Sequence, residues 1–436
     1  MFAYYFNLAL RSLKRNRMLT ILMVVAIGFG VAASMITYSV FRAVSGNPIP
    51  DKSAQLFTPQ VDSWGPEQNL QGEPPDALNY VDAMALMRAH VAKRQTLVYP
   101  VSLPVLPGGS RSLPVKAEGY AAYGDFFPMF EVPFLYGSGW SSAQDDSRAA
   151  VVVLGEEFNQ ELFGGANSVG REITIGGHDY RIVGVTRHWN PVPRFYSLFG
   201  SSGFQQPADF YVPFTRAMDL HIDTAGSNSC RGTIEMSGWD DWQRSNCVWV
   251  EPWVELDNAT EVARYRSFLE GYSADQQRAG RFGWAPNVRL RNVMQWLEHM
   301  KVVPPESRIS LLVSLGFLVI CLVNTIGLLL AKFMRRAGEI GVRRALGASR
   351  REIYVQFLME AATVGLFGGL LGLLLTALGV SGVGLLFSPQ IARLAHVDLV
   401  LVAMTLAVAI AATVVAAFYP TWRAAQVQPA WHLKTN

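Results

Sequence analysis

The stretch from Ala331 to Glu360, AKFMRRAGEIGVRRALGASRREIYVQFLME, constrains this chain more than any other because of what flanks it. Before it runs an apolar segment, 309–331, bounded by Arg308 and Lys332. After it runs another, 361–387, that carries no charge. Each exceeds the ~20 helical residues that cross a bilayer core of about 30 Å. Between them Lys332, Arg335, Arg336, Arg343, Arg344, Arg350 and Arg351 outweigh Glu339, Glu352 and Glu360. A short loop that basic is retained on the cytoplasmic side. It also carries helix punctuation. Ile340, Arg343, Arg344 and Leu346 fit one short helix, with Gly347 placed as its C′ stop. Ser349 and Glu352 form an S-x-x-E capping box that opens the next helix. A short helix across the membrane face between two spans suits the docking of a cytoplasmic partner.

Two further spans complete the set. The first is 18–41, preceded by Arg11, Lys14, Arg15 and Arg17; the last is 399–419, closed by Pro420. The basic start of the first resembles a secretory signal, but its apolar run is too long for a signal h-region, so it is expected to stay as an anchor. Four spans put both termini in the cytoplasm and Arg42 to Arg308 outside. Charge follows that division. The cytoplasmic segments hold 13 of the 37 Lys/Arg and 3 of the 34 Asp/Glu, leaving 24 and 31 for the remainder. Only 16% of the 436 residues are charged, against about 25% in ordinary soluble domains. No basic domain is left over for nucleic acid. Ahead of the first span, Phe2, Phe6, Ala9 and Leu13 recur at helical spacing while Asn7, Arg11, Lys14 and Arg15 take other faces. That pattern suits an amphipathic helix in the cytoplasmic interface.

The outer region is most legible between Ala149 and Val185. AVVVL is expected as a buried strand, GEEFNQELFGG as a helix ending on glycine, and REITI-GG-HDYRIVGV as a hairpin with a primed turn. Pro191 to Pro213 is expected as a long loop or inserted hairpin. Asp257 to Arg278 has a helical pattern, and Asn292 to Val303 a helix that Pro304 and Pro305 terminate.

The residues EIGVRRALGAS, REI, FLMEA and GLFGGLLG resemble the signature region of MacB/FtsX-type ABC transporter permeases. FYPTWRAAQVQPAWHL resembles the closing segment of that family, and VVVL-helix-LFGG with YRIVGV resembles the MacB-like periplasmic core domain. The resemblance implies a dimer of permease subunits, from a second copy or a paralogue, on cytoplasmic ABC ATPase subunits. It implies that ATP-driven closure is relayed through the spans to the outer domain, with a periplasmic adaptor and an outer-membrane channel as further partners and membrane lipid around the spans. Its substrates range over antibiotics, peptides, toxins, siderophores and lipoproteins. Lipoprotein extraction from the inner membrane is the alternative within the family; regulation of a periplasmic cell-wall hydrolase, as in FtsX-like proteins, is another.

No GxxxxGK[ST] phosphate loop occurs in this sequence, so ATP and Mg are expected on a partner ATPase and no cofactor on this chain. The histidines show no ligand spacing with cysteine or with each other, so no metal site is expected, and no G-x-S-x-G elbow or other catalytic residue stands out. The chain is therefore read as a permease and not as an enzyme. Cys230 and Cys247 both fall outside; an oxidising compartment favours a bridge between them over two free thiols, closing a loop at about 3 kcal/mol by chain entropy. Inside the spans, Asn324 and Thr325 are candidates for hydrogen bonds between helices, and Glu360 for a functional acid or a pairing with Lys or Arg of the docking loop. Gly365/Gly369 and Gly368/Gly372 form overlapping GxxxG pairs that suit either a dimer or a contact within one subunit. The coupling residues expected to meet the ATPase are Glu339, Ile340, Arg343, Arg344, Leu346 and Gly347, with Ile340 and Leu346 filling an apolar groove.

The expected fold is membrane α-helical, with four transmembrane helices per subunit and a large α+β periplasmic domain inserted between the first and second spans. The expected order is an interfacial helix (1–17), span one (18–41), the periplasmic domain (42–308), span two (309–331), and a cytoplasmic loop with the coupling helix (332–356). Span three (357–387), a short periplasmic loop (388–398), span four (399–419) and a cytoplasmic tail (420–436) follow. The location implied is the bacterial inner membrane.

Overall fold

The computed structural model describes residues 8–425 except 10, 14, 70, 108–112, 232–236, 304 and 384–396; the side chains of 305, 337, 344, 383, 424 and 425 are also left aside. Two compact units emerge, one of Met1–Ser45 with Val303–Asn436, the other of Gly46–Val302. Much of the interfacial helix, the loop between the last two spans and the C-terminal tail fall outside the described residues, and Phe2, Phe6, Asn7 and Lys14 fall with them.

Helix α1 (Arg17–Ser45) precedes the second unit. That unit is built on ten strands among the described residues: β1 (Leu56–Val61), β2 (Arg94–Pro107), β3 (Val115–Ala122), β4 (Phe134–Gly137), β5 (Val151–Leu154), β6 (Glu172–Ile175), β7 (His178–Thr186), β8 (Phe210–Pro213), β9 (Glu251–Glu255) and β10 (Val288–Asn292). The sheet runs β10-β1-β9-β2-β3-β8-β5-β7-β4, and β6 pairs with both β2 and β7. The pairings β2-β3-β8-β5-β7-β6-β2 therefore close into a ring, from which β9, β1 and β10 extend as an open arm. Strand β2 joins ring and arm: Arg94–Val98 face β9, and Val98–Val105 face β3.

Local chemistry explains several elements. All four residues of β5 are buried, as an apolar run covered on both faces requires. Gly176 and Gly177, at φ +58° and +84°, give the β6–β7 turn the two positive dihedrals a type I′ hairpin needs. The helices are α2 (Tyr80–Ala89), α3 (Phe126–Met129), α4 (Ser142–Asp146), α5 (Glu156–Phe163), α6 (Phe214–Asp219), α7 (Trp239–Arg244), α8 (Ala259–Arg278) and α9 (Val293–His299). Asn258 caps α8 by accepting from the Glu261 amide (3.0 Å), and Asn292 with Gln295 forms a capping box on α9. Residues 187–209 form a long loop with no strand before β8. It is nevertheless well packed: Phe195, Tyr196 and Leu198 are buried, Arg194 donates to the Tyr120 hydroxyl (2.8 Å), and Glu251 accepts from the amides of Leu198 (2.7 Å) and Phe199 (3.1 Å). Cys230 and Cys247 are disulfide-bonded.

The other unit holds α1, α10 (Pro305–Met334), α11 (Ala337–Ala345), α12 (Arg350–Val383) and α13 (Leu399–Ala425). Four of these, α1, α10, α12 and α13, are long and apolar enough to cross a membrane. Pro305 occupies the first turn of α10, where its missing N–H costs nothing. Pro420 does not end α13, which continues to Ala425. A proline so near a helix end frees only one carbonyl, which water at the membrane surface can satisfy. Helix α12 is central and packs against both α1 and α13. The fold is thus a four-span helical membrane protein with an α+β domain between spans one and two.

Candidate coupling site

The segment between α10 and α12 is held by its own local chemistry. Gly347 sits at φ +98°, and the Ala348 amide donates to the Arg343 carbonyl (3.0 Å), the 6→1 bond of a Schellman stop. Ser349 and Glu352 then cap each other: the Ser349 amide donates to the Glu352 carboxylate (2.9 Å), and the Glu352 amide to Ser349 Oγ (3.2 Å). These two devices separate α11 from α12 within four residues.

Helix α11 has two distinct faces. Ile340, only 4% exposed, packs inward with Leu13, Met23, Leu329, Phe333, Ile353 and Phe357. Val342 and Leu346, one turn apart, are 54% and 83% exposed. The expectation that Ile340 and Leu346 share an apolar groove on a partner is corrected here. At 100° per residue their six-residue spacing leaves them about 120° apart, whereas Val342 and Leu346 stack along one side. Val342 was not singled out in the sequence, although its i, i+4 spacing to Leu346 was the available signal. Arg343 is turned toward the bundle, donating to Gln356 Oε1 (3.0 Å) and pairing with Glu339 (3.1 Å). The Arg344 side chain lies outside the described residues. Glu339 also pairs with Arg336 (3.2 Å) and Arg15 (3.5 Å). The hydrogen bond from Arg336, then the charges of Arg336, Arg343 and Arg15, hold its carboxyl below the usual range against the pull of burial.

Beneath this layer Glu360 is 1% exposed. Its Oε1 lies 2.6 Å from Lys332 Nζ and accepts from Ser12 Oγ at 2.5 Å; its Oε2 accepts from Arg336 Nη1 at 3.0 Å. Arg336 Nη1 also donates to Ser12 Oγ (2.8 Å), and its guanidinium stands 5.7 Å from the Phe357 ring centroid. Of the two roles open to Glu360 in the sequence, the structure brings it to pairing with Lys and Arg of the loop.

The remaining sequence candidates fall elsewhere. A Cβ on Gly365 or Gly369 would meet Ala409 of α13, whereas one on Gly368 or Gly372 would meet Ile27 or Gly28 and Val31 of α1. Both GxxxG pairs are therefore spent on contacts within one chain. Thr325 donates to the Cys321 carbonyl one turn back (2.8 Å), and Asn324 faces outward on α10. Neither bonds across helices among the described residues.

Comparison with known proteins gives the lineage. The family model of the MacB-like periplasmic core domain matches residues 20–260, and that of the FtsX-like permease C-terminal region matches residues 311–429. The macrolide export ATP-binding/permease protein MacB of Salmonella typhi is 26% identical over 375 residues, covering 85% of this chain and 51% of that protein. Its counterpart in Escherichia coli (strain K12) is 24% identical over 376 residues, covering 85% and 52%. The chain thus spans about half the length of the curated relatives it matches. The crystal structure of the periplasmic region of MacB from Actinobacillus actinomycetemcomitans aligns at TM-score 0.36 and 14% identity, covering 58% of this chain and 95% of that one. With a family match over more than half of its length, followed by a second over its last three spans, the chain belongs to the MacB/FtsX-type ABC transporter permeases.

Proposed function

We propose that this chain is the permease subunit of a MacB-like ABC transporter, coupling ATP hydrolysis by a separate ATPase subunit to a conformational change of its periplasmic domain that drives export. The observation that carries this reading is the division of α11 into a locked inner face and an unburied outer one, Val342 and Leu346, among exposed basic residues such as Arg350 and Arg351. Exposed apolar side chains on a helix outside the spans are what a partner groove takes up. The absence of a phosphate loop from this sequence supports leaving ATP and Mg to the partner. In this reading the permease acts as a dimer in the bacterial inner membrane, with both termini and α11 in the cytoplasm, Cys230–Cys247 bridged in the oxidising periplasm, and an adaptor and outer-membrane channel as further partners.

The test is co-purification with the ATPase. Val342→Glu with Leu346→Glu should leave the permease inserted and folded, since neither side chain is packed in its core, yet lower recovery of the ATPase at least tenfold. Arg343→Glu should act less on docking and more on stability, because Arg343 is bonded inward. If α11 only anchored to anionic lipid, at about 1 kcal/mol per basic residue, the Val342/Leu346 double variant would retain its ATPase. Stoichiometric recovery would overturn docking through this face.

A further inference from the structure

Ser12, Lys332, Arg336 and Glu360 come from three separate pieces of chain. Ser12 lies ahead of α1, Lys332 near the end of α10, Arg336 in the turn into α11, and Glu360 one third of the way along α12. Both Glu360 oxygens are engaged, and Lys332 is fully buried. The set continues outward without a break: Arg336 also holds Glu339 on α11, and Glu339 reaches Arg343 and Arg15. The bonds that Arg336 makes to Glu360, Ser12 and Glu339 are charge-assisted and directional, and Lys332 adds a buried ion pair at 2.6 Å. Apolar packing around Ile340 alone would let α11 roll or slide against the spans. A bonded carboxylate with three partners does not permit that without breaking a buried ion pair.

We propose that Glu360, with Lys332, Arg336 and Ser12, is the joint that makes a displacement of α11 move the third span and the N-terminal segment together. The inference rests on the proposed docking of an ATPase on α11. Glu360 is a positioning residue in this scheme: it touches neither nucleotide nor partner, and acts by fixing α11 to α12. A residue that only stabilised the bundle would, when replaced, lower complex formation, hydrolysis and movement in parallel. A joint fails differently, leaving docking and hydrolysis intact while the spans no longer follow.

The experiment uses the full chain with its ATPase in lipid nanodiscs, in a Cys321→Ala background that keeps the Cys230–Cys247 bridge. Spin labels are placed through Arg351→Cys at the start of α12 and Val397→Cys just ahead of α13, both exposed positions. ATP with vanadate should shift the distance between them in the otherwise wild-type chain. In Glu360→Gln, ATPase recovery and hydrolysis should stay within about twofold while the shift is lost. A wild-type shift in Glu360→Gln would overturn the inference. If Glu360→Gln does not fold, Lys332→Met with Glu360→Leu decides, because it leaves no orphaned charge: loss of the shift supports the joint, and a retained shift overturns it. A wild-type chain that binds no ATPase, or shows no shift at all, would instead refute the coupling reading and this inference with it.

Discussion

Lys332 and Glu360 are both essentially out of solvent, so the energetics of replacing one differ from those of replacing both. Lys332→Met alone leaves Glu360 with Arg336 and Ser12, while Glu360→Ala leaves Lys332 buried with no carboxylate at 2.6 Å. Breaking a buried pair by removing one partner costs about 3–5 kcal/mol, whereas apolar replacement of both is commonly near neutral. Glu360→Ala should therefore lower the thermal midpoint in detergent sharply, and Lys332→Met with Glu360→Leu should recover most of the loss; equal midpoints for the two would contradict a buried pair. In the other unit Glu251 and Asp145 are carboxyls under strain of a different kind. Burial pushes Glu251 up to about 7, against the amides of Leu198 and Phe199. Burial likewise pushes Asp145 up to about 7, against hydrogen bonds from the Gly124 amide and the Trp140 indole. Unfolded, both would titrate near 4. Between about pH 4 and 7 the folded chain binds protons that the unfolded chain does not, so stability falls as pH rises through that window. At about 1.4 kcal/mol per pKa unit the two groups together should cost a few kcal/mol between pH 5 and pH 8. Glu251→Gln should make the fall of unfolding free energy with rising pH shallower across that window; an unchanged slope would remove Glu251 as one of its sources.

At the scale of elements, helix α12 shows how small residues are divided between neighbours. A Cβ on Gly365 would collide with Thr413 Oγ1 and come 2.9 Å from the Ala409 carbonyl oxygen, whereas one on Gly382 would meet nothing within 4 Å. Overpacking costs about 1–3 kcal/mol, while Gly→Ala in an unhindered helix gains up to about 1 kcal/mol. Gly365→Ala should therefore destabilise and Gly382→Ala should not, measured as the midpoint of heat-induced aggregation in one detergent; the reverse order would deny the α12–α13 contact. The glycine pattern was readable in the sequence, but its target was not, because GxxxG records only that some backbone comes close. The same distinction runs through the chain. The β6–β7 turn, the α5 stop and the Ser349–Glu352 box were legible because each is decided within a few residues. The ring closed by β6 on β2, and the burial of residues in the loop 187–209, were not, since both depend on pairings between residues far apart in sequence. Ile340 was legible as apolar and placed on the wrong face, because apolar character was read without its angular position.

At the scale of the whole molecule, the proposed coupling requires α11 to face the cytoplasm. The basic residues Arg335, Arg350 and Arg351 are exposed around α11, and near them in the fold Tyr354 lies 6.4 Å from Phe418 while Tyr419 and Trp422 are exposed further along α13. Amphipathic rings mark a membrane–water boundary on either side, whereas an excess of Lys and Arg is what the positive-inside pattern assigns to the cytoplasm. At the other end of the spans Arg42 pairs with Asp398 at 2.6 Å, joining the end of α1 to the start of α13. Within the helical unit the basic loop and the start of α12 lie at one end, and Arg42 and Asp398 at the other. Single cysteines report this directly in a chain lacking Cys321. Exposed Ser147→Cys and Val397→Cys should react in intact cells with a reagent that cannot cross the inner membrane, while exposed Arg350→Cys should react only after permeabilisation. Because all three positions are exposed, silence at Arg350 in intact cells reports sidedness and not burial, provided it reacts once the membrane is opened. Labelling of Arg350→Cys from outside would place the docking face where no ATPase can reach it, and would refute the orientation on which coupling through α11 depends.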